Sequence, residues 1–152
     1  MNKKNCKILF QNGVALEGLS FGFIGTTGGE VCFNTGMTGY QEILTDPSYC
    51  GQIVTMTYPH IGNYGVNSDD VESDSIKCSG FIVKQSCDFP SNYRSTLSVN
   101  DYLSKNKIVG IEGVDTRMIT RMIRDYGAMN AVISSRNLSD SEMEDKLNKL
   151  PD

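Results

Sequence analysis

The chain has 152 residues and a net charge of −4, and 39% of its residues are hydrophobic and 21% charged. This is the composition of one ordinary globular domain, which at this length buries roughly 68–70% of the surface of its unfolded chain. The scattered basic residues argue against a nucleic-acid partner, and the lack of a long apolar run or signal segment argues against a membrane span and predicts a cytosolic protein.

The N-terminal part of the chain alternates apolar and polar residues with the period of two that is typical of strands. Lys7–Phe10 and Val14–Phe21 flank Gln11-Asn12-Gly13, and an Asn-Gly turn between β-prone runs predicts a hairpin. A glycine-rich turn over Phe23–Gly29 should follow, and then a strand over Glu30–Asn34. The chain is therefore expected to open with a hairpin and a third strand.

The middle of the chain contains further strand patterns. Gln52–Thr57 alternates in the same way, and Ser75–Lys84 is another strand candidate. The side chains expected on one face of that candidate are Ile76, Cys78, Gly80 and Ile82. A short helix that opens at Ser98 and a brief buried strand over Ile108–Ile111 should follow.

A helical pattern with a period near 3.6 begins at Asp115. Asp115 is a good N-cap for a helix that runs to about Tyr126 and stops at Gly127. The core-facing residues expected on this helix are Met118, Ile119, Met122 and Ile123. The opposite, solvated face carries Arg117, Arg121 and Arg124, which are at best docking charges.

The last part of the chain predicts a strand over Met129–Ser134 and a final helix. Ser139 and Glu142 form the capping box of that helix. Its expected apolar residues are Met143, Leu147 and Leu150, with Leu138 as staple partner. An order that is rich in strands first and then alternates strands with helices predicts an α/β domain with one mainly antiparallel layer, one more parallel layer and helices outside.

The five cysteines are odd in number and form no Cys-x-x-Cys pair, so reduced thiols packed as small hydrophobic residues are favoured. They are Cys6, Cys32, Cys50, Cys78 and Cys87. The single histidine, His60, has no second histidine and no cysteine at ligand spacing, so no metal site is predicted. His60 is typical of a structural hydrogen-bonding residue in a loop. The glycines at positions 22, 25, 28 and 29 match no phosphate-binding motif and indicate a plain loop.

A candidate binding turn lies near the middle of the chain. Thr38-Gly39-Tyr40-Gln41 has the form of a capping box, and the short helix that it starts should end near Thr45. The turn Asp46-Pro47-Ser48-Tyr49 follows. Proline at the second position presets the turn, so Ser48 is placed to present its hydroxyl to a ligand. From the spacing alone, a purely structural turn serine is the favoured interpretation.

The run from Asn34 to Val66, with Gly29–Asn34, Val114–Arg117 and Gly127–Met129 around it, resembles the N-terminal domain of the small, glutamine-using subunit of carbamoyl-phosphate synthase. The resemblance covers almost the whole chain. It implies the three-layer β/β/α fold of swivelling domains. Residues 1–152 are then this one domain, and the class I amidotransferase domain of the family is absent from the chain.

The resemblance also implies a role in a larger enzyme. The family's serine at the position of Ser48 helps to hold a glutamine bound mainly by the amidotransferase domain. The family's N-terminal domain joins that glutaminase domain to the large synthetase subunit. The whole enzyme uses glutamine, bicarbonate and two ATP to make carbamoyl phosphate for pyrimidine and arginine synthesis, with its ATP and metal sites on the large subunit. No cofactor is therefore expected in this domain.

No catalytic residue is predicted in this chain. A glutaminase of this class needs a cysteine in a Gly-x-Cys-x-Gly turn with a histidine base, and none of the five cysteines has that context. The alternative to an excised enzyme domain is a free-standing, non-catalytic binding module, or a carrier of phosphohistidine at His60. The length of the natural reading frame discriminates between these interpretations.

Overall fold

The structure, a computed structural model, describes residues 4–34, 49–56, 78–84 and 103–150. These ranges contain seven strands and two helices of nine or more residues. The strands are β1 (Asn5–Phe10), β2 (Ala15–Gly22), β3 (Thr26–Asn34), β4 (Gln52–Met56), β5 (Gly80–Val83), β6 (Val109–Glu112) and β7 (Met129–Ser134), and the helices are α1 (Thr116–Tyr126) and α2 (Asp140–Asn148).

The seven strands close into a barrel in the order β1-β2-β6-β5-β4-β3-β7. Strands β3, β4, β5 and β6 pair in parallel, and all other neighbours pair antiparallel. The α/β class with an antiparallel and a more parallel layer is thus confirmed. The two layers are hydrogen-bonded to each other along both sides, which closes the sheet.

The predicted hairpin is confirmed, and its turn shows why the sequence adopts it. The Asn12 side chain accepts a hydrogen bond from the Val14 backbone N–H at 3.1 Å. Gly13 has φ of 91°, a backbone conformation that glycine adopts without strain. Strands β1 and β2 then pair from Leu9 opposite Ala15 onward.

The expected turn over residues 23–29 is wrong in its extent, because β3 begins at Thr26 rather than at Glu30. Gly28 and Gly29 lie within the strand, although two adjacent glycines in a sequence are typical of a turn. A Cβ on Gly29 would collide with the backbone carbonyl of Gly51. Glycine inside a strand often marks such a close approach of another backbone segment.

The barrel interior is filled by one apolar group, here called the interior cluster. Its side chains come from alternate positions of the strands, as the period of two requires, and from the segment around α1. The members are Cys6, Ile8, Phe10, Val31, Ile53, Ile82, Val109, Ile111, Val114, Ile119, Met129, Ala131 and Ile133. Thr55 lies between two outward-facing residues of β4, and its buried hydroxyl has no hydrogen-bond partner among the described residues.

Helix α1 lies at the end of the barrel where the parallel strands terminate. It follows β6 and leads into β7, whose first residue Met129 pairs with Val31 near the end of β3. The predicted cap is confirmed, since Asp115 accepts a hydrogen bond from the Met118 backbone N–H at 3.1 Å. Ile119 is fully buried in the interior cluster. The helix therefore closes this end of the barrel.

The expected core position of Met118 is wrong, because its side chain is 37% exposed. The buried positions on this helix are Thr116, Ile119 and Thr120. The Thr120 hydroxyl donates to the Thr116 carbonyl at 2.9 Å, which satisfies it inside the protein. Threonine thus replaces methionine on the buried face.

A second apolar group, the outer cluster, lies on the outward face of the parallel strands. Its members are Phe21, Val54, Met56, Cys78, Phe81, Val83, Leu103 and Ile108, with Cys32 and Tyr49 packed against it. Gly110 lies between Phe21 and Phe81 in the register of three neighbouring strands. The two rings stack across it with centroids 6.3 Å apart. A Cβ at Gly110 would lie 2.6 Å from the Phe21 carbonyl oxygen.

The expectation that Cys78 shares a face with Ile82 is wrong. Strand β5 begins at Gly80, and a bend at Ser79 precedes it. Cys78 packs in the outer cluster, whereas Ile82 belongs to the interior cluster. The bend breaks the alternation from which the sequence pattern was extrapolated.

Helix α2 packs on β7 and β1 on the antiparallel side. Its capping box is confirmed in both directions: the Glu142 N–H donates to the Ser139 hydroxyl, and the Ser139 N–H donates to the Glu142 carboxylate, each at 3.2 Å. Met143 is buried, as expected. Within the described residues, no helix is long and apolar enough to cross a membrane.

Candidate functional site

The two residues for which a ligand role was considered, Ser48 and His60, lie outside the described residues, as does Cys87. The contribution of Ser48 to glutamine binding stays a prediction. The structure describes the segment that directly follows Ser48 in the chain, and this segment shows which part of the fold anchors the candidate turn.

That segment is held against the parallel strands by two contacts. Tyr49 is partly buried and packs against the outer cluster. Gly51 has φ of 74°. Its carbonyl oxygen lies so close to Gly29 that only glycine fits at position 29. Strand β4 begins directly afterwards. Tyr49, the one described residue of the candidate turn, is therefore anchored on the outer cluster just before β4.

A small hydrogen-bond network supports the same region. The Thr27 hydroxyl donates to the Ser79 carbonyl at 2.8 Å, and the Ser79 N–H donates to the Gln52 carbonyl at 2.8 Å. The Ser79 hydroxyl reaches the Gly28 carbonyl at 3.3 Å. These bonds link the first part of β3 to the starts of β4 and β5. They fix the start of β4, the strand that follows the candidate turn in the sequence.

Three of the described thiols are held in the protonated form. Burial raises the pKa of Cys6 to about 12, and the Cys6 thiol donates to the Gly110 carbonyl at 3.7 Å. Burial, and then the nearby Cys32, raise the pKa of Cys78 to about 12. Burial and the Glu30 carboxylate raise the pKa of Cys32 to about 11.

These raised values bear on nucleophilic chemistry, because the thiolate is the reactive species. The four described cysteines are free thiols, and Cys50 is the exposed one. Packing as small hydrophobic residues is thus confirmed for Cys6 and Cys78 and, in part, for the half-buried Cys32. In the described ranges, no group of three or more His, Cys, Asp or Glu residues is placed to hold a metal ion.

The exposed side of α1 forms a second candidate surface, here called the α1 groove. It is a depression of about 520 Å³ lined by Asn12, Asp115, Arg117, Met118, Arg121, Met122, Asp125 and Tyr126. The Asn12 side chain reaches the Met122 sulfur at 3.8 Å and joins the hairpin turn to the helix. The predicted solvent exposure of Arg117, Arg121 and Arg124 is confirmed.

Comparison with known proteins identifies the family. The profile of the carbamoyl-phosphate synthase small chain, CPSase domain, matches residues 8–133. The chain belongs to this family. The match covers every described strand except the first residues of β1 and the last residue of β7, and it includes all of α1.

Several curated small chains are close relatives of this family member. The carbamoyl phosphate synthase small chain of Syntrophotalea carbinolica is 58% identical over 140 residues, which is 92% of this chain and 37% of the relative. That of Thermotoga maritima is 55% identical over 148 residues, or 97% of this chain and 38% of the relative. The pyrimidine-specific carbamoyl phosphate synthase small chain of Bacillus subtilis is 51% identical over 144 residues, which is 95% of this chain and 38% of the relative. The chain thus spans less than two fifths of the length of these relatives.

Sequence reasoning missed the α1 groove. The helix and its arginines were visible in the pattern, but Met118 was assigned to the core. The position of the hairpin turn beside the helix depends on the pairing of β1 with β7, which brings residues from opposite ends of the chain together. The exposed Tyr126 at the end of the helical pattern was the one signal that the sequence offered.

Proposed function

We propose that this chain is the N-terminal domain of the small subunit of a glutamine-hydrolysing carbamoyl-phosphate synthase. Its role is to dock the glutaminase domain onto the large synthetase subunit. The complete enzyme makes carbamoyl phosphate from glutamine, bicarbonate and ATP. Glutamine is hydrolysed in the amidotransferase domain, and ATP is used on the large subunit, so this domain supplies interface surface and one edge of the glutamine pocket.

The observation that carries this proposal is the family match over residues 8–133. Relatives that extend far beyond the matched region support a domain that works as part of a longer chain. The raised pKa values of Cys6, Cys32 and Cys78 support a non-catalytic role, because thiols with such values are not nucleophiles near neutral pH. A domain that carries no chemistry contributes binding surface to its enzyme.

Within this proposal, Ser48 donates or accepts one hydrogen bond to the bound glutamine. Its turn ends at Tyr49, whose side chain packs against the outer cluster. The parallel strands therefore serve as a rigid support for a residue that acts at the boundary with the next domain. The hydroxyl orients glutamine for attack by a thiolate that belongs to that domain.

The test is Ser48→Ala in the complete small subunit assembled with the large subunit. A lost hydrogen bond to a charged ligand group is worth roughly 1.5–3 kcal/mol, so glutamine-dependent synthesis should weaken about tenfold or more. Synthesis from free ammonia should be unchanged, because it bypasses the glutamine pocket. Steady-state kinetics with each nitrogen donor separate the two activities.

The matched control is Ser141→Ala, because Ser141 is an exposed serine on α2, away from the strands that anchor the turn. It should leave both activities unchanged. An equal loss of glutamine-dependent and ammonia-dependent synthesis in Ser48→Ala would assign Ser48 to folding or docking and remove it from the glutamine pocket.

A further inference from the structure

The α1 groove combines residue types that are enriched at protein interfaces. Exposed large hydrophobic side chains are few among the described residues, and Met118 and Tyr126, at 37% and 56% exposure, lie on this one helix. Tyrosine, methionine and arginine are enriched at the cores of interfaces, and tyrosine and arginine dominate their hot spots. The groove is therefore unlike an ordinary solvated helix face.

The positions on the helix arrange these residues in two strips. At 100° per residue, the arginines 117, 121 and 124 form one strip, and Met118, Met122 and Tyr126 form a second strip between the arginines and the buried face. The second strip faces the hairpin turn through Asn12. A partner segment in the groove thus meets an apolar floor and a basic edge.

The basic edge is not neutralised within the described part of the chain. Neither Arg117 nor Arg121 has an ion-pair partner there, although the whole chain carries a net charge of −4. Asp115 is engaged in capping α1, and Asp125 lines the groove without reaching an arginine. Arg124 lies over the Phe33 ring, 5.7 Å from its centroid. Carboxylates are the groups that satisfy arginine forks most strongly.

A second surface depression among the described residues does not have this character. It has a volume of about 360 Å³ and lies between α2 and the first two strands. Its lysine, Lys7, is already paired with Asp140 at 2.9 Å. Of these two depressions, the α1 groove is the one whose basic side chains are not already in an ion pair among the described residues.

The position of α2 indicates which partner the groove faces. Leu150, beyond the end of α2, packs beside Gly28 near the start of β3, whereas Arg124 of α1 lies over Phe33 near the end of β3. Five residues of a strand span about 17 Å. Polypeptide that follows α2 in the longer relatives therefore starts at the end of the barrel away from α1. This geometry favours a separate chain, rather than the polypeptide directly after α2, as the occupant of the groove.

We infer that the α1 groove is the docking surface for an acidic segment of the large synthetase chain, which places carboxylates on Arg117 and Arg121 and an apolar side chain against Met118 and Tyr126. This inference rests on the proposed function and adds the location and chemistry of the contact. The arginines steer the encounter, and the apolar strip holds the complex once it has formed.

The test measures association of the chain with the large subunit by stopped-flow fluorescence at low and high salt. Arg117→Glu with Arg121→Glu should slow association at least about tenfold at low salt and reduce its salt dependence. Tyr126→Ala should speed dissociation about tenfold or more. All three side chains are exposed, and circular dichroism checks that the variants remain folded.

The matched controls change the same residue types elsewhere. Arg136→Glu with Lys149→Glu reverses two exposed charges outside α1, and Leu19→Ala removes another exposed apolar side chain. Normal binding by these controls and weakened binding by the α1 variants is the expected result. Tight binding of the unchanged chain that the α1 variants do not alter overturns this inference but leaves the proposed function in place. If the unchanged chain shows no binding at tens of micromolar, both fail.

Discussion

The interior cluster and the outer cluster occupy opposite faces of the same parallel strands, yet they are enclosed differently. The interior cluster is surrounded by all seven strands and closed by α1. The outer cluster rests on strands from one side, and Leu103, Ile108 and the ring of Tyr49 cover part of the other. The interior cluster forms because alternate side chains of the strands point into the barrel. The outer cluster also needs residues from the segments that connect the strands.

This difference separates two tasks within one small domain. The interior cluster determines that the barrel forms. The outer cluster attaches the segment that carries the candidate glutamine-binding turn, because Tyr49 packs there. A change in the interior should therefore act on folding, and a change in the outer cluster should act on folding and on the turn together.

The largest expected effect compares two phenylalanines that are both fully buried, one in each cluster. Phe10 belongs to the interior cluster and Phe81 to the outer cluster. Replacing a buried phenylalanine by alanine costs about 3–5 kcal/mol, and the cost falls where the surroundings can collapse into the cavity. Phe10→Ala should lie near the upper end of this range and Phe81→Ala near the lower end, measured by urea denaturation of the chain.

In the complete enzyme, the comparison becomes sharper. Phe81→Ala should raise the KM for glutamine at temperatures where the domain remains folded, because it loosens the support of the Ser48 turn. Phe10→Ala should leave the KM for glutamine unchanged when it is measured at a temperature where the same fraction of this variant is folded. Equal KM values in the two variants would show that the outer cluster does not position the turn.

A second prediction concerns a hydroxyl on the inward side of β4. Thr55 is fully buried without a hydrogen-bond partner in the described ranges, which costs about 1–3 kcal/mol. Thr55→Val keeps the shape and removes the unsatisfied group, so it should stabilise the chain by about that amount in thermal or urea denaturation. Thr120→Val is the matched control, because the Thr120 hydroxyl is already bonded to the Thr116 carbonyl. If both substitutions change stability equally, the Thr55 hydroxyl has a partner.

A third prediction is a dependence of stability on alkaline pH that both clusters share. The pKa values of Cys6, in the interior, and Cys78, in the outer cluster, are both raised to about 12. Above about pH 9 the unfolded chain releases these protons and the folded chain retains them, so stability should fall as pH rises from 9 toward 12. Each thiol contributes at most about 1.4 kcal/mol per pH unit.

Cys78→Ala and Cys6→Ala should each make this decline shallower, although each also lowers stability at neutral pH by leaving a small cavity. Cys50→Ala, at an exposed position, is the control and should leave the slope unchanged. The measurement is urea denaturation at several pH values between 8 and 10.5. An unchanged slope in both buried variants contradicts the prediction.

Local signals explain what the sequence predicted well. The bounds of α1 and β7 and the start of α2 were predicted closely because Asp115, Gly127 and the capping box at Ser139 act within a few residues. The expected helical position of Leu150 is wrong, because α2 ends at Asn148. Helical periodicity places an apolar stripe but does not say which edge of it meets the sheet. For that reason Met118 was assigned to the core, although Thr120 occupies the buried side.

The errors elsewhere arose from contacts between distant segments. The start of β3 was misplaced because Gly28 and Gly29 resemble a turn, and the need for glycine at position 29 comes from the Gly51 carbonyl. The family and the candidate role of Ser48 came from motif resemblance. The α1 groove could not be predicted, because it exists only where the hairpin turn meets α1.

Closure of the barrel has a consequence for how this domain meets other molecules. Every described strand is hydrogen-bonded to a neighbour on both sides. A free strand edge, with its row of unpaired N–H and C=O groups, is the template on which sheets of separate molecules join and aggregate. Because the described sheet offers no such edge, a partner must recognise side chains and surface shape instead of adding a strand. The same closure protects the described sheet from edge-to-edge aggregation.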